Sequence, residues 1–104
     1  MPDTVPTMEN NKFKLLNPIL HSQLRLAIVS FLVGNGHSNF NELKEVTAAT
    51  SGNLSVQLKK LEECGYLNIE KGFLNNYQHT KVSITPVGLK AFEDYVKVLK
   101  EYIE

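Results

Sequence analysis

Leu54, Leu58 and Leu61 recur at intervals of four and three between Thr50 and Gly65, the spacing that gathers side chains onto one stripe of an α-helix. The flanks carry matching punctuation. Thr50 or Ser51 supplies an N-cap oxygen, and Gly65 supplies the left-handed residue on which helices commonly end. Immediately beyond, Tyr66-Leu67-Asn68-Ile69-Glu70-Lys71 alternates apolar and polar, the period of a half-buried strand. Leu54, Leu58 and Leu61 are therefore expected to form the buried stripe of a helix that is followed at once by a strand.

The rest of the chain is read around this unit. With 104 residues, 42% of them hydrophobic, there is material for one core. Residues 1–12 hold Pro2, Pro6, Asn10 and Asn11 among few apolar groups and are expected to form a flexible arm, with the folded domain over 13–104. Ile19, Leu20, Leu24, Ala27, Ile28, Phe31 and Leu32 predict an amphipathic helix entered after Pro18 and stopped at Gly34-Asn35-Gly36. Ser38 to Phe40 is expected to be extended, with Asn41 capping a short helix from Glu42 to about Val46. Thr47-Ala48-Ala49 links it tightly to the leucine-striped helix, which is expected to reach Cys64. Lys81-Val82-Ser83-Ile84-Thr85 alternates again and should pair with the earlier strand across a tip at residues 72–79. Thr85 then caps a last helix, with Pro86 at its first position and its end at Glu104. The fold class is α+β, mostly α: a winged helix-turn-helix with a two-stranded β-hairpin wing and a long C-terminal helix.

Several function classes lack support. No apolar run approaches the ~20 residues of a membrane span, and Met1-Pro2-Asp3-Thr4 does not open like a signal peptide, so a cytoplasmic protein without membrane contact is expected. Cys64 is alone and reads as a small core residue, with a redox-sensing role as the alternative. His21, His37 and His79 lack ligand spacing, so neither a metal nor a cofactor is expected. Nucleophile elbows, phosphate loops and convergent carboxylates with a base are all missing, so the chain is not read as an enzyme. Eleven basic residues balance eleven acidic ones, and the sole arginine is Arg25, so any case for DNA rests on local arrangement.

That arrangement exists on the striped helix. At 100° per residue, Gly52, Asn53, Ser55, Val56, Lys59 and Lys60 project beside or opposite the leucines. Asn53 and Ser55 can bond base edges or phosphates, Val56 can meet a thymine methyl, Gly52 permits close approach, and Lys59 and Lys60 suit phosphates. Glu62 and Glu63 make the far end acidic, a polarity that holds carboxylates away from a duplex met by the N-terminal half. The hairpin adds Lys71, Asn75, Asn76, Tyr77, His79 and Lys81. Without an arginine it is expected to position phosphates more than to read bases.

The segment TSGNLSVQLKKLEECGYL from residue 50, followed by the strand, the Asn-rich turn and KVSITPVGLKAFEDY from residue 81, resembles the MarR-like winged-helix transcriptional regulators, particularly their small single-domain members. The resemblance spans roughly residues 15–104. It implies a homodimeric, DNA-binding regulator of a bacterium or archaeon. By position it carries Ser51, Gly52, Asn53, Ser55, Val56 and Lys59 onto the recognition-helix surface, and Asn75, Asn76, Tyr77, His79 and Lys81 onto the wing.

Leu89, Phe92, Val96, Leu99 and Ile103 follow a three-four heptad seam that Tyr95 and Tyr102 broaden. A stripe reaching Ile103 outruns so small a core, so its distal half is expected to meet a second chain beside Phe13, Leu15 and Leu16. A two-fold dimer would set two recognition helices about one DNA turn (~34 Å) apart on double-stranded DNA. With no separate sensor domain expected, a small-molecule effector would bind in the dimer cleft. The competing reading is a winged helix used for protein contact without DNA.

Overall fold

The computed structural model describes residues 15–103. The elements run α1 (Gln23–Asn35), β1 (His37–Asn39), α2 (Phe40–Thr47), α3 (Ser51–Glu63), β2 (Leu67–Leu74), β3 (Tyr77–Ile84) and α4 (Pro86–Ile103). β3 is the central strand of an antiparallel sheet ordered β1-β3-β2, so the wing is a hairpin with a short third strand at its base. The expected arm at residues 1–12 and Phe13 lie outside the described residues.

Leu54, Leu58 and Leu61 are all buried, as their spacing predicts, and pack with Leu20, Ile28, Val29, Leu32, Leu43, Leu67, Val82 and Tyr95 in one core. Thr50 is the α3 N-cap, its hydroxyl accepting from the Asn53 amide at 3.2 Å. At the other end Tyr66 N–H reaches the Leu61 carbonyl and Gly65 N–H the Glu62 carbonyl, the paired closure that needs a left-handed residue. Gly65 supplies it with φ of 81°. The expectation for Cys64 fails: it lies beyond the last buried turn and is exposed.

Element boundaries depart from expectation in three places, each with a local cause. The first helix begins at Gln23 rather than Ile19 because Asn17 builds its own turn, its side-chain oxygen accepting from Ile19 N–H (2.8 Å) and Leu20 N–H (3.2 Å). Ser22 is then extended, with φ −148° and ψ 127°, before the helix starts. Leu20 is still fully buried, whereas Ala27 is exposed and Val29 takes its place in the core. The α2 cap is Asn39, not Asn41: its oxygen accepts from Glu42 N–H at 2.8 Å while Ser38 Oγ donates to the Glu42 carboxylate.

The third departure is the wing. Pairing continues from Leu67↔Ile84 to Leu74↔Tyr77, so the expected eight-residue tip shrinks to Asn75-Asn76. Both asparagines have positive φ, 54° and 69°, as a two-residue hairpin turn of this twist requires.

The junction with α4 explains the Thr85-Pro86-Val87-Gly88 sequence. Thr85 Oγ1 accepts from Gly88 N–H at 3.0 Å and donates to the Gly65 carbonyl at 2.6 Å, with the Tyr66 carbonyl at 3.0 Å. One hydroxyl thus caps α4 and ties it to the end of α3. A Cβ at Gly88 would overlap the Tyr66 carbonyl oxygen, so the first turn of α4 lies against that backbone only because position 88 has no side chain.

Candidate nucleic-acid interface

Burial of the leucine stripe turns Ser51, Gly52, Asn53, Ser55, Val56, Lys59 and Lys60 outward, and all seven are exposed. They form one continuous face over the N-terminal three turns of α3. Between this face and the wing runs a groove of about 810 Å³. Ser55 and Lys59 line it from α3, Lys71, Gln78 and Thr80 from the wing, and Phe40, Leu58 and Ile69 form an apolar floor.

The pleat of the hairpin divides residues that the sequence groups together. Cross-strand partners share a face, so Ile69/Val82, Lys71/Thr80 and Phe73/Gln78 look toward α3. Glu70/Lys81, Gly72/His79 and Leu74/Tyr77 look the other way. Lys71 therefore joins the α3 groove, Asn75 and Asn76 occupy the tip, and Tyr77, His79 and Lys81 lie on the reverse face. Glu62 also lines the groove, one turn beyond Lys59, so the carboxylate expected to stay clear sits at its inner end.

Two residues that sequence reasoning left out support the α3 face. Arg25 on α1 donates through Nε to the Ile19 carbonyl at 2.6 Å and through Nη1 to Gln57 Oε1 at 2.6 Å. Gln57 Nε2 in turn donates to Asn53 Oδ1 at 3.1 Å. The i, i+4 spacing of Asn53 and Gln57 and the singular Arg25 are the only sequence traces of this relay.

The α4 seam divides as well. Tyr95, expected to broaden an interchain seam, is 4% exposed and belongs to its own core, its hydroxyl 3.0 Å from His21 Nδ1. Phe92 and Leu16 also pack on that core, and Val96 is half-buried. Leu15 is 79% exposed and Ile103 78%, with Leu89, Leu99 and Tyr102 exposed between. Among the described residues, no three His, Cys, Asp or Glu side chains converge as a metal site requires, and no helix is long and apolar enough to cross a membrane.

Residues 24–103 match the family profile described as winged helix DNA-binding domain. An uncharacterized protein of Methanocaldococcus jannaschii is 40% identical over 78 residues, covering 75% of this chain and 85% of its own length. The structure of a transcriptional regulator homologue from Pyrococcus horikoshii superposes with a TM-score of 0.77 at 29% identity, over 82% of this chain and 84% of that one. A MarR-family transcriptional regulator from Silicibacter pomeroyi shares the fold, with a TM-score of 0.65 at 16% identity over 79% of this chain and 54% of its own. With its helix-turn-helix, hairpin wing and C-terminal helix, the chain belongs to the winged helix DNA-binding domain family.

Proposed function

We propose that this protein is a homodimeric, sequence-specific DNA-binding transcriptional regulator that acts in the cytoplasm and catalyses no reaction. The observation that carries the reading is the division of α3: three leucines seated in the core and seven small, polar, aliphatic or basic residues facing outward beside a lysine-bearing wing. In this reading α3 lies in the major groove with Asn53, Ser55 and Val56 at base edges. Lys59, Lys60 and Lys71 meet phosphates. The wing follows the backbone or enters the adjacent minor groove.

The folded unit is taken as residues 13–104, with α4 as its dimerising element. Leu15 and Ile103, nearly four-fifths exposed, and the apolar residues between them on α4 form the surface that a second copy covers. The groove of about 520 Å³ between residues 15–18 and α4 borders this surface and is the place for a small-molecule effector.

Selection of bound duplexes from a random pool tests the reading. A two-fold symmetric site with half-sites one turn apart is expected. Affinity must fall steeply with salt, and Lys59→Ala should lower the slope of log K against log salt by about one. Failure to retain any duplex at low salt would leave the fold serving protein contact instead.

A further inference from the structure

The end of the wing carries large apolar side chains in water. Phe73 is 80% exposed, Leu74 60% and Tyr77 78%, and they flank the Asn75-Asn76 turn directly. Among the described residues Leu99, Tyr102 and Ile103 cluster as closely, but Leu99 at 36% and Tyr102 at 38% are far less exposed than the residues of the wing end. Residues 71–81 contain Lys71 and Lys81 and no carboxylate, in a chain whose charges sum to zero; Glu70 stands opposite Lys81 on the reverse face, which leaves Lys71 as the cation on the face of Phe73. An exposed aromatic ring beyond a lysine on the same face matches a partner that is anionic outside and apolar within.

The register supplies the dimensions. Lys71 and Phe73 stand on the same face two residues apart, so Phe73 lies about 7 Å farther along the wing than Lys71. A minor groove is about 7.5 Å deep, with phosphates along its rims and sugars and base edges below them. With Lys71 at a rim phosphate, Phe73 reaches the floor. The two-residue turn narrows the blade, and Leu74 and Tyr77 give its reverse face the same apolar character.

We propose that the wing tip is an apolar wedge for the DNA minor groove, with Phe73 and Tyr77 on its two faces prising apart a base step while Lys71 holds the neighbouring phosphate. Pyrimidine–purine steps, the easiest to unstack, are its expected targets, and the protein would prefer them at positions its donors never touch. This inference rests on the DNA-binding reading above and adds the chemistry of the wing to it.

The test uses the full chain and the duplex it selects, with 2-aminopurine placed at successive steps flanking each half-site. Binding should raise the fluorescence of one step per half-site, reporting loss of stacking there. Phe73→Ala and Tyr77→Ala should abolish that rise and weaken binding by about tenfold. Lys71→Ala should weaken binding and reduce the salt slope while keeping the fluorescence rise. Phe73 and Tyr77 are solvent-facing, so circular dichroism melting of the variants should match the parent protein. Bound duplex without an unstacked step, unchanged affinity in both tip variants, or a tip-dependent change of self-association without DNA would each overturn the wedge and leave DNA binding standing. Retention of no duplex at all would overturn both.

Discussion

Arg25 on α1 donates to Gln57 Oε1 on α3 at 2.6 Å, and that single contact sets the direction of a hydrogen-bond chain ending at the outer face of the helix. A guanidinium has no acceptor, so Gln57 must present its oxygen to Arg25 and its NH2 to Asn53. Asn53 then spends its oxygen inward and offers its amide protons outward. On a duplex those protons suit guanine O6 and N7, thymine O4 or a phosphate.

Gln57→Glu inverts the end of this chain while keeping Arg25 paired. A carboxylate accepts from Arg25 and from Asn53 alike, so the Asn53 amide turns and offers oxygen outward. Random-pool selection should show the preference at one position per half-site moving from acceptor-bearing to donor-bearing bases, a change of about 1–3 kcal/mol in discrimination. The added negative charge lowers affinity for all sequences and leaves that relative shift readable.

Glu62→Gln should strengthen binding. Glu62 shares the groove with Lys59 and Lys71, where it repels phosphate and offsets both cations. Titration at several salt concentrations should give a few-fold higher affinity and a steeper salt dependence, with base preferences unchanged.

Gly88→Ala should destabilise the domain by about 1–3 kcal/mol, because the new methyl group meets a backbone carbonyl rather than a side chain that can swing aside. Thermal denaturation should show a fall in Tm of roughly 4–8 °C for each kcal/mol lost. Thr85→Ala removes the cap on Gly88 N–H and the tie to Gly65 together, and should cost about 1–2 kcal/mol.

Ala48 holds φ of 58° at the end of α2, in the tight link to α3. A left-handed alanine costs about 1 kcal/mol, and glycine returns a similar amount as chain entropy in the unfolded state. Ala48→Gly should therefore leave Tm nearly unchanged, while the β-branched Ala48→Val should lower it clearly.

Sedimentation at micromolar concentration should give a dimer. Ile103→Glu and Leu15→Glu place a charge where the second copy is proposed to pack and should weaken association at least about tenfold. Both positions are nearly four-fifths exposed, so the secondary structure of either variant should be retained.

Periodicity made α3 legible in advance, because a stripe at three and four with a cap before it and a glycine after it has one low-energy helical arrangement. The Thr85-Pro86 start of α4 is likewise a local matter of φ and of one hydroxyl within reach of an orphan amide. The outer half of the wing was hidden for the opposite reason. Beyond Ile69 and Thr80 both faces of the hairpin meet water, so no burial imprints an alternation on Gly72 to Gln78. Three features depend on which surfaces the folded chain brings together. Tyr95 turned inward to His21, Glu62 came to lie in the lysine groove, and Arg25 met Gln57 across 32 residues of chain. Residue spacing encodes which face of a helix is apolar, but the partner of each polar side chain is decided only when the helices dock.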